Sequence, residues 1–173
     1  MPGVIKIRRA EVNDAPTLCA TEVEVSATPG LLVSRPDELS PDSFSRMIVQ
    51  LAGDVGCYFV AEDEGRIVGH AFLCPMDLRA VAHVYRLTIV VHPTKWKHGV
   101  GRALMEALCK WASHSPRVEK IELLVRSTNE AAVSLYAQFC FVEEGRLRNR
   151  IRLPSGAFVD DISMAWFPER GHA

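Results

Sequence analysis

Apolar and polar positions alternate along much of the chain in the short period typical of β-strands. Runs rich in β-branched and aromatic residues predict seven strands, over residues 4–8, 57–62, 67–74, 83–91, 119–126, 141–152 and 157–166. The polar segment 63–66 between the second and third runs predicts a hairpin turn. A second turn is predicted at residues 154–156, which are Pro, Ser and Gly.

Between these runs, apolar residues recur at helical spacing. Four helices are predicted: residues 14–26, a second that opens at residues 40–42, a third that starts near Gly99, and residues 129–139. Asp14 is a candidate N-cap of the first helix, and Thr128 or Asn129 of the last. In the second helix a proline and an early acid suit the first turn.

The order of the predicted elements indicates an α/β or α+β domain built on one central mixed sheet. The chain has 173 residues, about the length of one domain, so we expect a single domain over residues 1–173. The Pro- and Ser-containing stretch 27–41 is interpreted as a loop within that domain.

Charge and cysteine content exclude several functions. Twenty basic against twenty-one acidic residues give a formal charge of −1, so no general attraction to nucleic acid or to an anionic membrane is expected. The five cysteines are scattered and form no C-x-x-C pair, which argues against a zinc knuckle or a disulfide framework. They are interpreted as buried or inert thiols, and no metal site is expected.

No targeting segment is evident. The first 14 residues contain basic side chains without a following apolar stretch, and no apolar run approaches the roughly 20 residues of a membrane helix. A cytoplasmic location is therefore expected.

The most informative stretch is the strand, glycine-containing turn and helix of residues 88–104. Gly99 and Gly101 would allow close backbone approach to a phosphate, and the free N–H groups of a helix start favour an anion. Basic side chains add local positive potential, namely Lys95, Lys97, His98 and Arg102. A Walker loop would need Gly-Lys-Ser/Thr, and a dinucleotide fingerprint would need a third small residue, where Leu104 stands. A plain tight turn remains the alternative to a phosphate cradle.

This segment resembles the coenzyme A pyrophosphate motif of the GNAT acetyltransferase family, Arg/Gln-x-x-Gly-x-Gly/Ala, with Trp96 in place of the usual first residue. A second block, residues 129–141, resembles the family's N-x-x-A-x-x-L-Y-x-x-x-G-F, with Cys140 in place of its glycine. The resemblance extends over nearly the whole chain and is greatest for the branch that acts on small amino acids and amines.

The resemblance implies a fold, a cosubstrate and site residues. The fold is a mixed, mostly antiparallel sheet with two splayed parallel strands and about four flanking helices. The cosubstrate is acetyl-CoA, without a metal. Its expected binding residues are Ile89, Val90, Val91, Trp96, Lys97, His98, Gly99, Val100, Gly101, Arg102, Asn129 and Tyr136. Backbone N–H groups near Val90 and Val91 would hold the coenzyme arm, and Tyr136 would protonate the departing thiolate.

The reaction implied is direct attack of a neutral primary amine on the thioester in a ternary complex. Many relatives carry a glutamate base where Arg86 stands. His83 is the candidate base, with His70 or an ordered water as alternatives. The identity of the base and the effect of Arg86, Trp96 and Cys140 on activity stay open.

The acceptor is expected to be a small amino-acid-like amine. Arg148, Arg150 and Arg152 are predicted to share one strand face that could bind a carboxylate, although a solvated basic face is the alternative. Asp160 and Asp161 are predicted to face opposite sides, so that one could attract a cation while the other is solvated. A protein N-terminal or polyamine acetyltransferase, and a non-catalytic acetyl-CoA sensor, are competing functions. A homodimer is expected.

Overall fold

A single seven-stranded sheet organises the computed structural model, which describes residues 4–169. The strand order is β1-β2-β3-β4-β5-β7-β6. The strands are β1 (Lys6–Arg9), β2 (Cys57–Asp63), β3 (Arg66–Pro75), β4 (Val84–Val91), β5 (Lys120–Arg126), β6 (Val142–Arg152) and β7 (Phe158–Trp166). Within the described part of the chain, β4 and β5 form the only parallel pair.

Four α-helices flank the sheet. They are α1 (Ala15–Ser26), α2 (Pro41–Gln50), α3 (Val100–His114) and α4 (Glu130–Gln138). The expected fold class, with a mixed and mostly antiparallel sheet, two splayed parallel strands and four helices, is confirmed. The ends of the expected single domain, residues 1–3 and 170–173, lie outside the described residues.

Each face of the sheet carries its own apolar core. Leu18 of α1 and Phe44 of α2 pack on Tyr58 and Val60 of β2 on one face. On the other face, a larger cluster joins α3 and Tyr136 of α4 to strands β2 to β5 and β7. Because α1 and α2 share one face and α3 and α4 the other, both faces are covered by helices, as burial of both faces of a central sheet requires.

The β2–β3 hairpin forms at the predicted turn. Glu64 and Gly65 both have positive φ, 49° and 76°, the conformation of a two-residue hairpin turn whose twist matches the flanking strands.

One local prediction is wrong. Asp14 occupies the N-cap position of α1, but its carboxylate accepts hydrogen bonds from Arg8 and from the N–H of Glu11 and does not cap the helix. Of the cysteines interpreted as buried or inert, Cys19 and Cys57 are buried, whereas Cys140 is exposed and follows α4 with φ 65°. All five cysteines are free.

An irregularity in β6 interrupts the strand face that Arg148, Arg150 and Arg152 were predicted to share. The pairing register to β7 shifts between Leu147 and Ile151, and Asn149 inside this shift has φ 52°. An irregularity of this kind breaks the alternation of side chains along a strand. Arg148 and Arg150 are therefore not related by the simple period of two that the sequence analysis assumed.

Candidate active site

The parallel strands β4 and β5 separate and leave a cleft between them. They pair at only three positions, from Val84 with Lys120 to Arg86 with Glu122, although β4 continues to Val91 and β5 to Arg126. A ligand that enters this cleft meets the unpaired edge of each strand.

The register of β3 and β4 decides which backbone groups of β4 face the cleft. The N–H of His92 donates to the carbonyl of Val68, and bonded pairs alternate along an antiparallel ladder, so Val90 and His70 form the next bonded pair. The backbone groups of Ile89 and Val91 consequently point into the cleft. The expectation for Val90 needs correction, because its backbone is directed to β3 and its buried side chain packs on the sheet face.

The turn that was expected to cradle a phosphate comes after β4 in the chain and leads into α3. Gly99 is the N-cap of α3 with φ 82°, and a Cβ placed there would meet no atom within 4 Å, so the backbone is open to a ligand. The first N–H bonded inside the helix is that of Ala103, which leaves the N–H groups of Val100, Gly101 and Arg102 without an intrahelical partner.

Gly101 has a different role from Gly99. A Cβ at this position would lie 3.1 Å from Cδ2 of Leu135, so the glycine lets α3 approach α4 closely. Both glycines were expected to allow the backbone to approach a phosphate. Of the two, only Gly99 has open space beside it, whereas Gly101 permits close helix packing.

The cationic side chains of the cradle are fewer than expected. Lys95 Nζ lies 2.6 Å from Oδ2 of the buried Asp63, so this ammonium is committed to an internal ion pair. Arg102 donates to Gln138, and His98 Nδ1 lies 2.8 Å from the Trp96 carbonyl oxygen. Lys97 is exposed, with φ 64°.

Trp96, which replaces a polar residue of the family motif, folds back onto β4. Its indole N–H donates to the carbonyl of Val91 at 2.9 Å, and 44% of the residue stays exposed. This contact binds the turn to the end of β4 and places an aromatic ring at the mouth of the cleft.

An open groove of about 470 Å³ lies at that mouth. Its lining combines the loop after α1, the cradle turn and the start of α4: Pro29, Gly30, Leu31, Trp96, Thr128, Asn129, Glu130 and Ala131. Asn129 is the N-cap of α4, and its side-chain oxygen accepts the N–H of Ala132. The side-chain amide of Asn129 can still donate to a ligand in the groove.

Tyr136 of α4 belongs to the apolar core on the sheet face that carries α3. It is 6% exposed and packs on Phe141, with 5.9 Å between ring centroids. Burial raises the pKa of Tyr136 above its usual range, and the positive charge of Arg126 opposes that rise. The phenol therefore stays protonated at neutral pH, and no hydrogen bond engages its hydroxyl within residues 4–169.

Arg126 and Asp161 form a buried pair beside Tyr136. Arg126 NH1 lies 3.4 Å from Asp161 Oδ1, and the side chains are 8% and 2% exposed. Burial lowers the pKa of Arg126, and the Asp161 charge counteracts this. Asp160 faces the other way and bonds Arg146, so the predicted opposite facing of Asp160 and Asp161 is confirmed, but neither carboxylate is unpaired.

His83 is not brought to this site. It is exposed, it precedes β4, and its carbonyl accepts the N–H groups of Glu119 and Lys120. Seven residues of extended chain, about 23 Å, separate it from Val90. His83 stays a predicted base without geometric support, and Arg86 is an exposed residue that contacts Met76 Sδ.

Comparison with known proteins agrees with this geometry. Residues 23–141 match the family model of the acetyltransferase (GNAT) family. The chain belongs to the GNAT acetyltransferase family. A GNAT-family acetyltransferase structure from Streptococcus pneumoniae superposes with a TM-score of 0.88 at 28% identity, covering 95% of this chain and 99% of that one.

Two further comparisons bear on this GNAT chain. The L-amino acid N-acetyltransferase AaaT of Escherichia coli (strain K12) is 33% identical over 107 residues, 61% of this chain and 65% of that protein. The match thus spans slightly less than two thirds of this relative. The structure of yncA from Salmonella typhimurium, a putative acetyltransferase determined with its cofactor acetyl-CoA, has a TM-score of 0.87 at 16% identity. It covers 98% of this chain and 96% of that one and shows the shared fold.

Two largely buried charged residues were not singled out in the sequence. Arg126 was read only as the end of a strand, and Glu22 was not singled out. Glu22 had a detectable signal: it lies four residues after Leu18 and three before Val25, so a carboxylate interrupts the apolar stripe of α1. No helix in residues 4–169 is long and apolar enough to cross a membrane, and no cluster of three or more potential metal-ligating side chains occurs there.

Proposed function

We propose that this GNAT protein is an acetyl-CoA-dependent N-acetyltransferase that acetylates the primary amine of a small molecule, in particular an amino acid or a derivative. The observation that carries the proposal is the geometry around the cleft: β4 and β5 separate beyond Arg86, and the start of α3 after β4 has N–H groups without helical partners. Tyr136, buried in the core next to β5, supports it as a phenol that stays protonated.

The residues present fit acetyl-CoA. The helix start at Gly99, Val100 and Gly101 suits a pyrophosphate, because its N–H groups lack helical partners and Gly99 offers open space. Backbone groups of Ile89 and Val91 suit the amides of the pantetheine arm, and Asn129 lines the groove beside them. Acetyl-CoA would supply the activated acetyl group as a thioester.

The proposed reaction assigns a role to each of these groups. The amine nitrogen attacks the thioester carbonyl carbon, and a β4 N–H that points into the cleft stabilises the charge that develops on the oxygen. Tyr136 donates its proton as the carbon–sulfur bond breaks, so that the thiol leaves in its neutral form. The raised pKa of Tyr136 suits this role, because the hydroxyl remains protonated throughout the physiological pH range.

Two observations favour an acceptor that carries a carboxylate. The E. coli relative is named for L-amino acid substrates. In addition, the charge of Arg150 on β6 is near enough to lower the pKa of Arg126 at the cleft. Arg150 is exposed and could bind an acceptor carboxylate, whereas Arg146 is already paired with Asp160.

The decisive experiment measures thiol release from acetyl-CoA with a panel of L-amino acids, polyamines, aminoglycosides and short peptides. Saturable turnover with amino acids or their analogues is expected. Tyr136→Phe should lower kcat by about 10²-fold or more while acetyl-CoA binding is retained. Turnover only with peptides or polyamines would show that one of these, and not an amino acid, is the acceptor. Tight acetyl-CoA binding without turnover of any amine would favour a sensor.

The cellular setting is part of this proposal. Five free cysteines suit a reducing compartment such as the cytoplasm. A homodimer is proposed through β6, which forms one edge of the sheet and exposes Val142 and Leu147. Light scattering of the purified protein tests the dimer directly.

A further inference from the structure

A buried polar array lies on the sheet face that carries α1 and α2. Tyr58 Oη of β2 is 3.1 Å from Nδ1 of His70 on β3, and Nε2 of the same ring is 3.3 Å from Oε2 of Glu22 on α1. His70 is fully buried and Tyr58 is 2% exposed, whereas the Glu22 side chain is 12% exposed. Of the three, only Glu22 therefore offers an appreciable opening to solvent.

The array lies one strand away from the cleft. His70 pairs directly with Val90 of β4, so the two side chains stand on the same face, about 5 Å apart at Cβ. The opposite face of the cleft is closed by the core that contains Tyr136. An acceptor amine must therefore approach the cleft from the face over which α1 carries Glu22.

The imidazole nitrogens of His70 are unequally satisfied. Nδ1 has Tyr58 as a partner, whereas Nε2 is buried and has no hydrogen bond among residues 4–169, because its contact with Glu22 lacks hydrogen-bond geometry. Burial raises the pKa of Tyr58 above its usual range, and the Glu22 charge raises it further, so the phenol keeps its proton. When the phenol oxygen accepts from Nδ1–H, Nε2 carries a free lone pair beside Glu22.

We propose that Glu22 is the general base that takes a proton from the acceptor ammonium, and that His70 and Tyr58 position Glu22 and hold this proton. The inference rests on the proposed function. An added proton on Nε2 gives an imidazolium that donates to Tyr58 on one side and to Glu22 on the other. The one unsatisfied nitrogen of the array thereby gains a partner.

The proton balance closes without another reagent. The acceptor ammonium gives one proton to the Glu22 carboxylate, which passes it to Nε2 of His70 and becomes anionic again. The neutral amine forms the carbon–nitrogen bond, the carbon–sulfur bond breaks, and the thiolate takes the Tyr136 proton. The amide nitrogen loses its second proton, which restores Tyr136. The proton held on His70 returns to solvent through Glu22.

The other charged groups near the array do not replace Glu22. Glu24 lies two residues further along α1, is 65% exposed, and its Oε2 contacts His92 Nε2 at 2.6 Å. Cys19 is the other titratable group of α1 that faces this region, and burial raises the pKa of its thiol. Glu24→Gln is therefore a matched control, because it removes the same charge from the same helix.

The test compares two acceptors of the active enzyme, one whose ammonium has a pKa well above the assay pH and one that is already neutral. Glu22→Gln should lower kcat/KM for the first by about 10²-fold or more and for the second by less than about tenfold. Raising the pH should restore part of the kcat/KM that Glu22→Gln loses with the first acceptor, because more of that amine is then neutral. His70→Gln and Tyr58→Phe should give the same selectivity with smaller losses.

The controls separate this inference from the proposed function. Glu24→Gln should match the parent protein with both acceptors, and acetyl-CoA affinity should be unchanged in all four variants. If the parent enzyme is active and Glu22→Gln slows both acceptors equally, or neither, Glu22 is not the base while the acetyltransferase stands. A parent protein that turns over no amine overturns both proposals.

Discussion

At the scale of single residues, the three departures from the family pattern have separate physical explanations. Trp96 contributes an indole bond to Val91, and Arg86 is an exposed residue outside the cleft. Cys140 is the departure that lowers the stability of the fold. It occupies the left-handed position after α4, where the N–H groups of Cys140 and Phe141 bond the carbonyls of Ala137 and Tyr136. This is the Schellman arrangement, in which glycine is favoured.

Cys140→Gly should stabilise the protein. A residue with a Cβ pays about 1–2 kcal/mol in the left-handed conformation, and part of that relief is offset by the greater chain entropy of glycine. A net gain of about 1 kcal/mol would raise Tm by about 2–4 °C for a chain of this size. Thermal unfolding measures it. Cys140→Ala keeps the strain and should give no gain, so an equal rise in both variants would assign the effect to loss of the thiol.

At the scale of elements, two strands beside the cleft are joined by charge as well as by backbone bonds. Arg126 of β5 and Asp161 of β7 are directly opposite each other, and their side chains are almost fully buried. Arg126 Nε has no hydrogen bond among the described residues. This pair fixes the end of β5 next to the Asn129 turn and Tyr136, so the site depends on its integrity.

Asp161→Asn should destabilise the fold strongly, because it leaves the guanidinium of Arg126 buried without an opposing charge. Removing one partner of a buried pair costs about 3–5 kcal/mol, whereas an exposed pair contributes little to stability. Urea denaturation should show a large decrease for Asp161→Asn and a small one for the neighbouring Asp160→Asn. The double variant Arg126→Met/Asp161→Leu should recover much of the loss; if it is less stable than Asp161→Asn, the buried charge is not the cause.

The sequence predicted these elements well and their pairwise contacts poorly. All seven strands and four helices lie within a few residues of the predicted bounds, because spacing of apolar residues and turn residues such as Gly65 are local signals. The bulge of β6 at Asn149 depends on register with β7, and the capture of Lys95 by Asp63 joins positions 32 residues apart. Such contacts depend on how distant segments meet, and the periodicity along one segment carries no information about that.

At the scale of the whole molecule, stability should depend on pH at both extremes. On the acid side, Arg8 of β1 binds both Asp14, before α1, and Glu62 of β2. The hydrogen bonds from Arg8 lower the pKa of Asp14 below its ordinary value. On the alkaline side, burial raises the pKa of Cys57 to about 12 and of Cys109 to about 11, and it raises that of Tyr136 as well.

The signs of these shifts define a stability plateau. A carboxyl group whose pKa is lowered by folding contributes stability above its unfolded value, near 4, and loses it as the pH falls through the folded value. Thiols and phenols whose pKa is raised by folding ionise more readily in the unfolded chain, so stability declines once the pH exceeds their unfolded values, about 8.5 and 10. The free energy of unfolding should therefore be nearly constant between about pH 5 and pH 8.

Asp14→Asn isolates the acid limb of this profile. At pH 7 the variant should be less stable by about 1–2 kcal/mol, because it loses the charge-assisted bonds from Arg8. As the pH falls through the lowered pKa of Asp14, the parent protein protonates this carboxyl and loses the same bonds, so the two urea unfolding curves should converge. Asp54→Asn, which changes an exposed acid in the turn before β2, is the control and should follow the parent at every pH. If the gap between Asp14→Asn and the parent stays constant even at a pH where the parent's carboxyl groups are all protonated, the ionised carboxylate is not what stabilises this corner of the molecule.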